Sequence, residues 1–498
     1  MNMKRRDLCK LTMMASAAAA SPTVFTRLFA AESPVSGGRD LEAVTFAGKQ
    51  TVIPAAAVKA FAAGLRGRVL TADDPDYEQA RRIWNKMIDR RPALIARCTG
   101  AADIARAVVF ARERELLVAV RGGGHSFPGY STCDGGLVID LSAMRGVRVD
   151  PQAKIARVAG GAWNGDLDWE AQQYGLATPM GRVSHTGVGG LTLSGGYGRL
   201  SRLYALACDN LLSVDLITAD AQLLHASAQE NPDLFWALHG GGGNFGVVSS
   251  FEFQLHALAP SVISGSLTYG PAQARNVLEY YGEFAARAPR ELELGLSIAT
   301  DEAGARYPVL GVFFVGDSSA CDKVLGPLRT AIKPRRDTVQ TWDYMKLQQR
   351  YDGPTLSDEN NYVKGGFVAE FSPALADTLM SDLGIAALGG VGLMHCGGAI
   401  ADVAPTATAV AHRSELFQMG IEVGWKDSAD NERNRARIHA AWDRLSQFTS
   451  GFYVNLNVAD QKAVDDNFGV NRARLAQLKK QYDPRNLFHL NADVLPSA

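Results

Sequence analysis

Three glycine-rich runs within about 130 residues, 122–124, 187–198 and 240–246, constrain this chain more than any other feature. Each borders apolar residues that suit a strand or a short helix, where glycine permits a close backbone approach that a Cβ would block. A flexible linker mixes glycine with serine, whereas here leucine, valine and aromatic residues interleave. The three runs together predict an extended ligand held against backbone. In the first, Arg121-Gly122-Gly123-Gly124-His125-Ser126 follows the apolar stretch Leu117 to Val120. Successive N–H groups there can turn toward a phosphate, and His125 stands beside whatever is bound. Read alone, the same hexapeptide is also a tight turn.

The surrounding pattern is mixed. Ala93 to Cys98 reads as a strand, Ala101 to Arg114 as a helix and Leu117 to Val120 as a second strand, a unit that delivers the glycine run at its carboxyl end. Further strands are expected at Gly136 to Leu141, Ile155 to Val158 and Val247 to Phe253, with a helix from Asp166 to Tyr174 ending at Gly175. A doubly wound dinucleotide fold requires G-x-G-x-x-G opening a helix, with an acidic residue ~20 positions on. Here the run leads into Ser126-Phe127-Pro128-Gly129-Tyr130, which cannot open a helix cleanly. Farther along, Ala272 to Ala286 reads as helix and Val309 to Phe314 as strand, and the polar stretch from Tyr351 to Tyr362 reads as a loop beside a substrate entrance.

With 47% apolar and 21% charged residues, the composition is that of an ordinary globular protein. Fifty-one basic against 52 acidic side chains give a net charge of −1, so no global field favours nucleic acid or an anionic membrane, and small ligands are the expected partners. At the amino end Lys4-Arg5-Arg6 precedes an uncharged, alanine-rich stretch and small residues around Ala31. This order resembles a twin-arginine export signal over residues 1–31 and implies a periplasmic or secreted protein, folded around its cofactor before export. The stretch is too short and alanine-rich for a membrane span, and no later segment reaches the ~20 continuous apolar residues one needs. Beyond it remain Cys98, Cys133, Cys208, Cys321 and Cys396. Their odd number and wide spacing argue against a disulfide framework, though not against one bridge. Neither CxxC nor HExxH occurs, so no metal site is expected.

Several motifs then point one way. Arg121 to Ser126, Cys133 to Leu141, Thr186 to Gly190, Gly195 to Gly198, Cys208 to Leu211 and Asn231 to Gly246 resemble the berberine bridge enzyme-like FAD-linked oxidases. So do Tyr453 to Asn455 and Tyr482 to Asn491 near the C-terminus. The resemblance implies an α+β protein: a two-subdomain PCMH-type FAD-binding domain at 60–258, and a substrate domain at 259–450 in which helices back an antiparallel sheet. A C-terminal segment at 451–498 would return to the FAD domain.

The resemblance also implies which residues meet FAD. From the first run these are Arg121, Gly122, Gly123, Gly124, His125 and Ser126. From the second they are Thr186, Gly187, Gly189, Gly190, Gly195, Gly196, Tyr197 and Gly198. Gly246, Val248, Tyr453 and Asn455 complete the set. His125 matches the histidine that bonds to the flavin 8α-methyl carbon. Relatives with a second bond use a cysteine where Val183 stands, so a single attachment is expected. Cys133 is the alternative thiol. Thr186 occupies a position thought to govern oxygen access, which leaves oxidase and dehydrogenase both open.

The implied reaction is hydride transfer from a substrate C–H to flavin, with a base removing a proton from the adjacent O–H or N–H. Tyr453 is the first candidate, as base or as orienting donor, with Asn455 expected on the same face of a strand. Many relatives carry an aromatic residue after this asparagine, whereas here it is Leu456, which weakens a phenolate role. Glu422 is the second candidate base, sharing a strand face with Gln418 and Gly420. The substrate class is an alcohol, a sugar or a related small molecule, with O2 as acceptor and hydrogen peroxide as product. Transfer to another acceptor, or a secreted flavoprotein without turnover, are the alternatives.

Overall fold

A computed structural model of the chain describes residues 38–457 and 460–497. The expected export signal lies outside the described residues.

Three sheets organise the chain. The first has four strands in the order Arg68–Leu70, Leu94–Arg97, Leu137–Asp140 and Val118–Arg121. Its last three strands run parallel, with Arg97 and Arg121 both in register with Asp140. The helix Ala101–Glu113 makes the crossover. Ile104, Ala107, Val108 and Ala111 of that helix are buried against Leu94, Val118, Leu137 and Ile139. Spacings of three and four put those side chains on one helical face, and burying each large aliphatic among them stabilises the unit by ~1.5–3 kcal/mol.

The second sheet is antiparallel, with strands in the order Leu223–Ser227, Leu211–Ile217, Val247–Gln254, Ile155–Ala159 and Val147–Asp150. Helices Gln461–Phe468 and Arg472–Tyr482 pack onto its core through Val464, Phe468, Leu475 and Leu478. Asn244 of the third glycine run clasps this C-terminal segment, donating to the Ala492 carbonyl at 2.9 Å and accepting from the Val494 N–H at 3.1 Å.

The third sheet has eight antiparallel strands between Ser261 and Trp425. Leu294, Leu310, Val312, Val391, Phe417, Met419 and Ile421 point to one face. Helices Ala274–Arg287, Ser318–Ala331, Pro373–Met380 and Asn431–Leu445 cover that face. The period of two sends the intervening residues to the opposite face. Buried Arg202 fixes this sheet against the second glycine run: it donates to the carbonyls of Leu292 at 2.7 Å and Ala288 at 3.0 Å, and also to that of Cys396.

The regular elements expected between Ala93 and Phe253 are present within a residue or two, as is the helix Ala274–Arg287, while the strand expected from Val309 begins three residues earlier, at Arg306. Two expectations need correction. Tyr453 and Asn455 sit in a turn rather than a strand, closed by the Leu456 N–H donating to the Tyr453 carbonyl at 3.1 Å. The stretch 351–362 is not loop throughout, because Asn360 already begins the strand Asn360–Val368.

Candidate active site

A cavity of about 700 Å³ separates the glycine runs from the open face of the eight-stranded sheet. On one wall the first and second runs touch directly. A Cβ on Gly123 would lie 2.3 Å from the Gly187 nitrogen, and one on Gly187 would lie 2.3 Å from the Gly123 nitrogen. Only glycine at both positions lets the two loops meet and present their backbones side by side.

Of the expected ligand contacts, Gly122, Gly123, Gly124, His125, Ser126, Thr186, Gly187, Gly189, Gly190, Tyr197, Gly246, Val248, Tyr453 and Asn455 line this cavity. Four do not. Arg121 turns under the loop, with its guanidinium donating to the Ala80 carbonyl and packing beneath Gly124. Gly195 and Gly196 shape the chain behind the wall: each backbone carbonyl accepts an N–H from the 207–208 turn, and a Cβ on Gly196 would meet that of Ala207 at 2.5 Å. Gly198 packs on the Met180 carbonyl, 1.8 Å from where a Cβ would be. Gly196 and Gly198 answer close packing within the protein, and Gly195 a positive φ of 109°, rather than ligand contact.

The opposite wall is a floor that sequence reading missed. Gly295, Gly311, Gly390, Gly392 and Gly420 all line the cavity from adjacent strands, with Gly295 paired to Gly311 and Gly392 to Gly420. None of the five has positive φ, and a Cβ on any of them would meet nothing closer than 3.3 Å. Neither backbone conformation nor packing requires glycine there, and their absent side chains leave room for a ligand to lie flat on the strands. Filling the floor with Gly392→Val leaves melting temperature unchanged or higher, since valine suits a strand. The substrate KM then rises roughly 10- to 100-fold, the scale of an overpacking cost of ~1–3 kcal/mol. An unchanged KM with every substrate would show that nothing lies on this floor.

Gln418, Gly420 and Glu422 share the cavity face, as the strand period requires. The Glu422 carboxylate faces the cavity and has no hydrogen-bond or ion-pair partner among the described residues. The surrounding protein raises its pKa above the usual carboxylate value by desolvation, and nearby Arg182 opposes that rise. Arg182 also lines the cavity and is paired with buried Glu293. Tyr453 behaves differently. Burial pushes its phenol well up, and its hydroxyl accepts the Asn455 amide at 2.8 Å, while the same amide reaches the Gly190 carbonyl at 3.1 Å. With that acceptor site filled, the phenolic proton is left to donate. Tyr453 therefore suits an orienting donor and Glu422 a base.

His125 stacks on Trp84, with ring centroids 5.1 Å apart and planes 17° apart. Its Nε2 lies 2.6 Å from Nδ1 of His185, a residue that sequence reading passed over. Burial first, and then the neighbouring imidazole, push the His125 pKa down to about 3, so the ring is neutral at physiological pH. Val183 and Thr186 line the cavity nearby. Cys133 does not: it is buried in a separate cluster with Leu70, Tyr77 and Ile95, and burial pushes its thiol up to about 12. No cysteine lines the cavity among the described residues.

The backbone cradle, the volume and a neutral imidazole at its edge fit FAD, and comparison with known proteins agrees. Residues 92–227 match the FAD binding domain family and residues 452–494 the berberine and berberine like family. The uncharacterized FAD-linked oxidoreductase YgaK of Bacillus subtilis (strain 168) is 32% identical, over 87% of this chain and 97% of its own. The (R)-6-hydroxynicotine oxidase of Paenarthrobacter nicotinovorans is 30% identical, again over 87% and 97%. The xylooligosaccharide oxidase of Myceliophthora thermophila C1, solved with xylobiose, superposes at a TM-score of 0.81 with 25% identity, covering 89% of this chain and 100% of that one.

Fold and cavity together define an FAD-dependent oxidoreductase of the α+β, PCMH-type architecture. The chain belongs to the berberine bridge enzyme-like family of FAD-linked oxidoreductases.

Proposed function

We propose that this enzyme is an exported oxidase whose FAD is tethered by one covalent bond to His125. Its substrate is a small alcohol, sugar or related molecule oxidised at a carbon bearing O–H or N–H, and dioxygen is its electron acceptor. The observation that carries this reading is the Glu422 carboxylate, without a partner among the described residues and lining one cavity with the His125 cradle. When bound there, FAD supplies the hydride acceptor. The chain supplies the rest. Glu422 takes the proton from the substrate O–H or N–H, and its raised pKa brings its strength closer to neutral pH. Tyr453 donates a hydrogen bond that orients the reacting end, and the glycine floor lets a ring lie close to the sheet.

The name of one relative states a 6-hydroxynicotine substrate and the solved structure of another holds xylobiose, so heterocyclic amines and sugars head the test panel. Each candidate is mixed with the holoenzyme, first anaerobically to follow flavin bleaching and then in air to measure peroxide. Bleaching with peroxide supports an oxidase. Bleaching without peroxide means a dehydrogenase, and no bleaching with any compound means a flavoprotein without turnover. Export is tested separately: Arg5→Lys with Arg6→Lys retains the precursor in the cytoplasm, and unchanged export would remove the twin-arginine route.

A further inference from the structure

His125 and His185 are sixty residues apart in sequence and share one proton site in space. Nε2 of His125 and Nδ1 of His185 are 2.6 Å apart, a distance that requires one N–H and one lone pair between them. Aromatic rings flank the pair: Trp84 stacks on His125, and Trp163 meets His185 edge-on with centroids 6.2 Å apart. His125 Nδ1 has no protein partner among the described residues, and the ring lines the cavity. On the far side, His185 Nε2 is buried, and the Gly353 backbone accepts a hydrogen bond from the ring. Asp352, which accepts from the Ser184 N–H at 2.8 Å and from the Ser184 hydroxyl, places its charge near His185.

We infer that His185 is a positioning residue for cofactor attachment: it accepts the Nε2 proton of His125, leaving the Nδ1 lone pair of His125 directed at the cavity. The inference rests on the tether proposed above. Burial lowers the pKa of both imidazoles, but the Asp352 carboxylate opposes that effect at His185, so His185 is the better proton acceptor of the two. In the attachment step a C–N bond forms between His125 Nδ1 and the flavin 8α carbon, and a C–H bond of that methyl breaks. Nε2 of His125 gives its proton to His185. The two electrons released by forming the bond reduce the ring system, which takes up two protons, one from the methyl and one relayed through His185. Dioxygen then reoxidises it and leaves as hydrogen peroxide.

The test uses full-length apoprotein from a riboflavin-starved host, mixed with FAD and sampled over time. Flavin retained in the acid pellet measures attachment, and flavin released by acid from gel-filtered protein measures non-covalent binding. His185→Ala is expected to keep non-covalent binding but to slow attachment roughly a hundredfold or more, the usual size of a general-base contribution. His185→Asn places an amide oxygen where Nδ1 stood and is expected to recover about tenfold of that loss, since a hydrogen-bond acceptor alone restores orientation. Attachment by His185→Ala at the wild-type rate overturns the inference. So does a His185→Asn variant no faster than alanine. A wild type that releases all its flavin into acid overturns the tether itself, and the inference falls with it.

Discussion

Glu422→Gln is expected to lower kcat/KM by roughly 10²- to 10⁴-fold while flavin content and melting temperature stay at wild-type values. Glutamine keeps the shape of the side chain and its place on the strand but cannot accept the substrate proton. The variant costs little stability, because the carboxylate pairs with nothing among the described residues and faces the cavity rather than the helix-covered core. The wild-type pH profile has a matching sign. A base works only when deprotonated, and desolvation by the cavity walls raises the pKa of the cavity-exposed Glu422, so activity falls as pH drops through a value above the ordinary carboxylate range. That acid limb disappears from the residual activity of Glu422→Gln. A variant with wild-type kcat/KM would move the base elsewhere, and Tyr453 would be a poor substitute because burial raises its phenol far above neutral pH.

His125→Ala is expected to convert acid-stable flavin completely into acid-released flavin without abolishing binding. The cradle depends on backbone contact between Gly123 and Gly187, which the substitution does not touch. Turnover falls as well, because a tethered flavin is the stronger oxidant. Visible spectra before and after acid precipitation separate the two effects. Acid-stable flavin surviving in this variant would place the bond on another residue.

The amino-acid sequence disclosed different layers of this molecule unequally. Local patterns were readable: the strand Val118–Arg121 and the helix Ala101–Glu113 follow from apolar periodicity and the Gly100 boundary. The glycine runs were readable as a cradle, although their reason is more specific than ligand approach alone, since Gly123 and Gly187 are glycine because they touch each other. The family resemblance places Arg121 and Gly198 in the site, yet the arginine side chain turns behind the loop and the glycine packs on Met180. The floor was hidden because Gly295, Gly311, Gly390, Gly392 and Gly420 are spread over four strands, and only the pairing register aligns them. His185 was hidden for the same reason: nothing within its own segment reveals that the second loop carries it to His125. Tyr453 and Asn455 do meet, as the strand reading required, but in a turn closed by the Leu456 N–H, within which the Asn455 amide donates to the Tyr453 hydroxyl.

The proposed enzyme holds FAD in one cavity on His125 alone, with Glu422 beside the glycine floor opposite. Acid precipitation of the purified wild type, followed by proteolysis and mass spectrometry of the yellow peptides, tests it most directly. Digestion with trypsin and chymotrypsin is expected to give one flavin-bearing peptide, Gly122 to Tyr130, with the modification on His125. Flavin found wholly in the supernatant, or attached to a peptide containing Cys133, would contradict it.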